Sequence, residues 1–295
     1  MSSESPLFSI IIPTYNRAHL ISKTLESVMQ QKFKNYEVLI VDDGSTDDTE
    51  TVIGRYTDER IRYFKNSNME RGASRNFGAA QSKGSYLNFF DSDDLMYQNH
   101  LTEAARIITD DSSPEFFHLG YEIVTEDGRI VTKVNNFSND MVDQLLFDNR
   151  LSCNGVFLRK EIAMNFPFSE NRALSSSEDW ELWIRLICRY PLHISNTITS
   201  AVVSHDQRSL YEISVEKLIN RDEVLIANLK QDPVVTKRYG RLFNRFMAER
   251  YTFFMLRWSE RKQYREVLYW AKRSFQVYPF TMFSKRYLAS LRNLF

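Results

Sequence analysis

The chain has 295 residues, 43% of them hydrophobic and 26% charged. That mix excludes a largely disordered chain, and the length allows one large domain with an appendage or two domains. The 38 basic and 38 acidic residues cancel, but not evenly: residues 237–295 carry 14 Lys and Arg against 3 Asp and Glu, so a basic tail follows an acidic body.

The first ~95 residues alternate between strand and helix patterns. Phe8–Pro13 (FSIIIP) is a continuous apolar run, as expected of a strand buried on both faces. Arg17–Gln31 follows with Leu20, Ile21, Leu25, Val28 and Met29 at helical spacing, and Tyr36–Val41 reads as a second strand. Ser45 and Thr46 are expected caps of a helix through Arg55, with Asp47 and Asp48 in its first turn. Ile61–Lys65 reads as a strand, Ala73–Gln81 as a helix and Tyr86–Phe90 as a fourth strand. Strands separated by helices predict an α/β fold with a mainly parallel sheet. After Asp94 come a helix over Gln98–Thr109, a strand over Phe116–Val124 and a turn at Glu126–Arg129 into Ile130–Val134. Val156–Arg159 reads as a short strand and Ser177–Tyr190 as a helix, and from about residue 212 the pattern is helical to the end.

In parallel α/β sheets, ligands bind beyond the carboxyl ends of the strands. Asp42-Asp43-Gly44-Ser45 follows the second strand and Asp91-Ser92-Asp93-Asp94 the fourth, so two acidic clusters fall at one sheet edge. Each has two readings. Asp91 and Asp93 suit a hard cation such as Mg²⁺ or Mn²⁺, or form a solvated turn, although three crowded acids repel unless something compensates. Asp42-Asp43 is either a capped turn shaped by Gly44 or an acceptor for a base or ribose. Ser175-x-x-Glu178 matches a capping box, while the adjoining Asp179 is a carboxylate at a helix start that can serve as a general base.

Together these segments resemble the family 2 glycosyltransferases, which have the GT-A fold, a Rossmann-like central sheet flanked by helices. FSIIIPTYNR (8–17), VDDGSTDDT (41–49), GASRNFGAAQSKGSYLNFFDSDD (72–94) and SEDWELWIRL (177–186) carry the resemblance, in order, across about the first 190 residues. It implies an inverting transferase that moves a sugar from a nucleotide donor, expected to be UDP-linked, to a hydroxyl of a glycan or lipid-linked acceptor in cell-surface polysaccharide synthesis. By resemblance, Asp43 contacts the base; Pro13, Tyr15 and Arg17 line the same pocket; Arg75 lies near base and phosphates. Asp91, Ser92 and Asp93 hold the donor and the metal, with Asp93 the direct ligand. Glu178 belongs to the donor site, and Asp179 is the catalytic base. His205, in SHDQRS (204–209), stands where related enzymes have a mobile loop with a metal or phosphate contact. Residues 1–110 are then the donor part, 111–211 the acceptor part and 212–295 a C-terminal basic helical region.

Two alternatives remain. A non-catalytic nucleotide-sugar-binding protein would keep the same acids. DSDDL after YLNFF also resembles the DxDx(T/V) of haloacid-dehalogenase-like phosphatases, but that motif opens a chain's first strand, and Asp94 stands where Thr or Val is expected.

The tail places Phe243, Phe246, Met247, Tyr251, Phe254 and Met255 at helical spacing, followed by Tyr264, Val267, Leu268 and Ala271. It is expected either to pack on the catalytic part with a solvated basic face, or to touch a membrane through Lys285, Arg286 and Arg292 among Phe283, Tyr287, Leu288, Leu291 and Phe295. No nucleic-acid motif accompanies the charge, so no nucleic-acid partner is expected. Cys153 and Cys188 form no CxxC pair, which fits a reducing compartment. The opening MSSESPLFSIIIP lacks the features of a signal peptide. No run approaches the ~20 apolar residues of a membrane span. A cytoplasmic protein, soluble or peripheral on the membrane, is the expectation.

Overall fold

The computed structural model describes residues 5–110, 113–137, 141–205 and 214–293. Among these residues nine strands form one sheet: β1 Phe8–Thr14, β2 Tyr36–Asp42, β3 Ile61–Lys65, β4 Tyr86–Phe89, β5 Leu95–Met96, β6 Phe116–Thr125, β7 Ile130–Val134, β8 Val156–Arg159 and β9 His193–Ser204. The helices of the first half are α1 Ile21–Met29, α2 Thr49–Ile53, α3 Arg71–Gln81, α4 His100–Asp110, α5 Met141–Leu145 and α6 Lys160–Asn165. The second half adds α7 Glu178–Ile187, α8 Val215–Gln231, α9 Pro233–Tyr239, α10 Arg241–Glu260, α11 Tyr264–Val277 and α12 Lys285–Arg292.

The strand order is β3-β2-β1-β4-β8-β6-β9-β5, with β7 paired to β6. The first four strands are all parallel, as their helix-separated pattern predicts. From β4 onward the sheet is mixed: β8 runs antiparallel to both β4 and β6, β6 and β7 form the predicted hairpin, and β6 and β9 are parallel. The long β9 has no clear signal in sequence, because polar residues 195–197 interrupt its apolar run.

Strand periodicity divides the core. In β1, Ile10 and Ile12 face α1 and α4, with Leu25, Val28, Leu101 and Ala104 across from them. Ile11 faces the other way, into a cluster with Ala79 of α3 and Trp183 and Leu186 of α7. Alternate residues of one strand thus serve two layers, so the run reads as continuously apolar. Gly78 lets α3 approach: a Cβ there would sit 2.4 Å from Ile11 Cγ2.

Two predicted caps are placed differently. α2 begins only at Thr49, where Asp47 Oδ1 accepts the Thr49 N–H at 3.0 Å. Ser45 Oγ instead accepts the Asn16 N–H at 2.9 Å, tying two loops together. Ser175 does not cap α7; Ser177 precedes the helix, and its N–H donates to Glu178 Oε2 at 3.1 Å. Glu178 is drawn back this way because its other oxygen pairs with Arg75.

The tail packs on the catalytic part. Phe243, Phe246 and Phe254 of α10 and Leu225 and Leu229 of α8 join the same apolar cluster as Trp180 and Trp183. Buried Asp222 of α8 accepts Arg250 Nε of α10 at 2.7 Å. Phe295, residues 206–209 of the SHDQRS segment and residues 212–213 lie outside the described residues. Among the described residues no helix is long and apolar enough to cross a membrane.

Candidate active site

The order β3-β2-β1-β4 reverses direction between β1 and β4, and a crevice opens where the loops after those strands part. Two adjoining lobes, of about 270 and 250 Å³, occupy it. The first is lined by Pro13, Tyr15, Arg17, Asp43, Asn68, Glu70, Ser92 and Ser175. The second is lined by Arg75, Tyr121, Asn149, Cys153, Asn154, Glu178 and Asp179. Arg71, Asp91 and Asp93 line both. The two acidic clusters and the carboxylate of α7, far apart in sequence, therefore share one cleft.

Two adjacent aspartates beside the first lobe have different roles, and only Asp43 lines it. Asp42 is fully buried; its Oδ1 accepts the Ser45 N–H at 2.8 Å and its Oδ2 the Tyr63 hydroxyl at 2.7 Å. Burial first, and this carboxylate second, raise the Tyr63 phenol above its ordinary value. Asp43 points along the next loop, where Oδ1 accepts the Met69 N–H at 2.6 Å and Oδ2 the Glu70 N–H at 2.8 Å. Asp43 thus orders the 66–70 loop as well as lining the cleft, and each carboxylate oxygen retains acceptor capacity. Between the loops Gly44 has φ +85°, and a Cβ there would meet Asn68 N at 3.1 Å. Gly44→Ala is expected to destabilise the fold by about 1–2 kcal/mol from the left-handed backbone alone, read as a lower urea midpoint at unchanged slope.

At the end of β4 three acids separate into distinct roles. Asp94 is fully buried, and both its oxygens are engaged: Oδ2 by Asn154 Nδ2 at 2.7 Å and Oδ1 by the Val203 N–H at 2.8 Å. It fastens the loop to β9. Asn154 also accepts the Asp91 N–H at 2.9 Å, so one buried amide fixes both ends of the acidic tetrapeptide. Asp91 Oδ1 accepts Arg75 Nη2 at 2.8 Å. Asp93 Oδ2 lies 3.1 Å from His205 Nε2 and 3.7 Å from Arg17 Nε. The end of β9 brings His205 against Asp93.

The Arg75 guanidinium is 1% exposed and lines the second lobe. It bridges Asp91 and Glu178, with Nη1 donating to Glu178 Oε1 at 2.8 Å. Burial opposes its charge, but Cys153, Asp91 and Glu178 outweigh that and hold it above its ordinary value. Glu178, 3% exposed, pairs with Arg75 and also lines the second lobe. Arg71, one helical turn earlier on α3, is the arginine that reaches both lobes. Burial would lower it too, and the carboxylates of Asp91 and Glu178 raise it on balance.

Asp179 opens the second lobe. Desolvation and then the Glu178 carboxylate push it up to about 6, against the pull of Arg75. Its Oδ1 accepts the Trp180 N–H at 2.7 Å, and Asn149 Nδ2 donates to Oδ2 at 3.2 Å. Trp180 anchors this turn through Nε1 to the Leu145 carbonyl at 2.6 Å. Asn149, Asn154 and Arg71 have no place in the sequence reading. The i, i+4 spacing of Arg71 to Arg75 on one helix face was a usable signal for the third, but the two asparagines sit in loops without periodicity.

Known proteins share stretches of this sequence and its fold. The chain is similar to an uncharacterized glycosyltransferase of Rickettsia felis, at 35% identity over 181 residues, 60% of this chain and 30% of that protein. It therefore spans less than a third of that relative's length. It is 30% identical over 184 residues to the Escherichia coli UDP-Glc:alpha-D-GlcNAc-diphosphoundecaprenol beta-1,3-glucosyltransferase WfgD, covering 61% of this chain and 70% of that one. S. aureus TarS 1–349, solved in complex with UDP-GlcNAc, superposes with a TM-score of 0.71 at 19% identity, covering 97% of this chain and 89% of TarS 1–349. That likeness shows the GT-A fold. Residues 9–156 match the sequence model of glycosyl transferase family 2. With half the chain under that model and the fold shared, the phosphatase alternative falls, and the chain belongs to glycosyl transferase family 2.

Proposed function

We propose that this cleft transfers a sugar from a UDP-sugar to a hydroxyl of a lipid-linked or glycan acceptor, inverting the anomeric centre, in the synthesis of a cell-surface polysaccharide. One observation carries the reading: the first lobe, with Asp43, and the second, with Asp179, meet at Arg71, Asp91 and Asp93. A donor laid across both lobes would have its nucleotide over the first and its sugar in the second. Tyr15, 43% exposed at the rim, offers a ring face to the base, with Pro13 and Asp43 beside it. Arg17 and Arg71 face the diphosphate region, where charge grows as the bond breaks. Asp179 takes the proton from the acceptor hydroxyl as that oxygen attacks the anomeric carbon from the side opposite the diphosphate. A single base with direct displacement inverts the centre. Residues 1–110 then bind mainly the donor, and residues 111–211 mainly the acceptor. The donor and acceptor classes draw support from the UDP-GlcNAc held by TarS and from the diphosphoundecaprenol acceptor in the name of WfgD. An acceptor of that kind fits work at the cytoplasmic face of a membrane, with the basic helices of residues 212–295 toward the lipid.

The donor set suits Mn²⁺ or Mg²⁺. Carboxylate oxygens of Asp91, Asp93 and Asp94 lie within 4.8 Å of one another, and hard oxygen ligands are what these cations take. Because Asp94 is fully buried and clamps β9, the more accessible Asp91 and Asp93, with His205 beside them, are the residues that would hold the ion. When bound, such a cation neutralises charge on the departing diphosphate.

Thermal unfolding with UDP tests donor and metal together. At 100 times its Kd a ligand adds about 2.7 kcal/mol of stability, a rise of several degrees. We expect UDP with Mn²⁺ to raise Tm, EDTA to abolish most of the rise, and Asp93→Ala to show the EDTA value with or without metal. An equal rise in EDTA overturns the metal reading, and a response to GDP or dTDP but not UDP overturns the donor.

A further inference from the structure

Residues 264–293 carry a surface that the catalytic cleft does not explain. α11 buries Val267, Trp270, Ala271 and Ser274 against α10 and turns its other face outward. A 3₁₀ turn, Pro279–Phe283, follows and leads into α12. Phe280 and Phe283, three apart in this turn, are 69% and 73% exposed, and the Phe280 ring packs on Tyr278 with centroids 5.6 Å apart. Full burial of one such ring is worth about 1.5–3 kcal/mol, and exposed apolar groups clustered on one segment commonly mark a contact surface. α12 continues the pattern: Lys285, Leu288 and Arg292 fall at i, i+3 and i+7, one face, with Leu288 55% exposed. Its inner side holds Ser290, Tyr287 and Leu291 against the body of the protein.

The charge on this surface identifies the occupant. Residues 261–293 contain eight Lys and Arg and one acid, Glu266. Arg261 and Arg273 are paired with Glu216 and Glu223 of α8, whereas α12 has no acidic residue at all. A second copy of the chain docking by this same face would oppose cation to cation. An anionic bilayer complements it: rings and leucine enter the headgroup boundary, while Lys and Arg stems lie along it with their charges at lipid phosphates.

We propose that residues 280–292 form a membrane foot, in which Phe280, Phe283 and Leu288 insert into the interface of an anionic phospholipid bilayer and Lys285 and Arg292 bind its headgroups, while Arg286 is turned onto the Glu249 carbonyl and the Phe253 ring of α10. The proposal deepens the lipid-linked reading of the acceptor by naming the surface that meets the membrane. It is separable from that reading, because vesicle binding needs no donor and no turnover.

The test is co-sedimentation of the full chain with vesicles of phosphatidylcholine alone or with 30% phosphatidylglycerol. We expect at least tenfold stronger partition onto the anionic vesicles, weakened by 0.5 M salt. A Phe280→Ser/Phe283→Ser variant and a Lys285→Glu/Arg292→Glu variant should each lose tenfold or more while keeping the parent's thermal response to UDP. Equal binding to both vesicle types, or parent-like binding by both variants, overturns the proposal. So does a dimer in analytical ultracentrifugation that both variants dissolve while vesicle binding is unchanged, since the face would then be occupied by a second copy.

Discussion

Asp179→Asn is expected to slow turnover by about a thousandfold and at the same time to make the protein more stable. The kinetic loss follows from removing the proton acceptor, a contribution that typically lies between 10² and 10⁴. Donor KM should stay within about twofold, because Asp179 lies outside the first lobe, over which the nucleotide is proposed to sit. The stability gain follows from the carboxyl's elevation to about 6 by desolvation and by Glu178. An unfolded Asp titrates near 3.9. The folded state therefore holds this proton more tightly, and the destabilisation from ionised Asp179 is fully present above about pH 6 and gone below about pH 4. That hundredfold tighter hold on the proton corresponds to about 3 kcal/mol, and water at the mouth of the lobe reduces this to about 2 kcal/mol. Calorimetry at pH 7.5 should show the variant melting about 3–6 °C higher, with the gap closing toward pH 4.5. The parent's kcat/KM should fall tenfold per pH unit below pH 6, and the variant should lack that limb. Parent-like turnover in the variant would remove Asp179 from the chemistry. If the parent binds UDP but transfers no sugar from any donor, the protein is a non-catalytic nucleotide-sugar binder.

Arg75→Met should have the largest effect on stability of any single change in the cleft. Arg75 is 1% exposed and neutralises Asp91 and Glu178 at 2.8 Å each. Methionine fills much of the volume but leaves Glu178 buried without its cation. Breaking a buried pair from one side costs about 3–5 kcal/mol. Urea unfolding is the measurement, with the midpoint falling at constant slope. Adding Glu178→Gln to Arg75→Met should recover part of the loss, because the orphaned charge is then gone. A coupling energy under ~0.5 kcal/mol in the double-mutant cycle would mean that the two residues are independent. The physical consequence is that the acidic loop after β4 and the start of α7 are held as one unit by a cation placed between them. Asp91 and Asp179 then keep a fixed separation, which a displacement reaction across two lobes requires.

Sequence alone determined the first four strands, their parallel direction and the acids beyond their ends. Those features have local causes: apolar runs such as FSIIIP and YEVLIV are long enough to be buried on both faces, the intervening helices repeat every three to four residues, and the residues after a parallel strand necessarily fall at its carboxyl edge. Family resemblance added roles for Asp43, Asp93 and Asp179, and the cleft brings all three together. Tertiary structure decided the rest. Whether an acid lines a cleft or clamps a loop depends on what reaches it: Asp94 meets Val203, 109 positions later, and Arg75 meets Glu178, 103 positions later. Asp91, Asp93 and Asp94 look alike in sequence, yet the first takes an arginine, the second a histidine and the third a backbone amide. The turn to antiparallel pairing after β4 is likewise set by which strands meet and not by their own composition. Burial and charge partners are long-range properties, so a local pattern places such groups at the sheet edge and only the packed chain assigns what each one does.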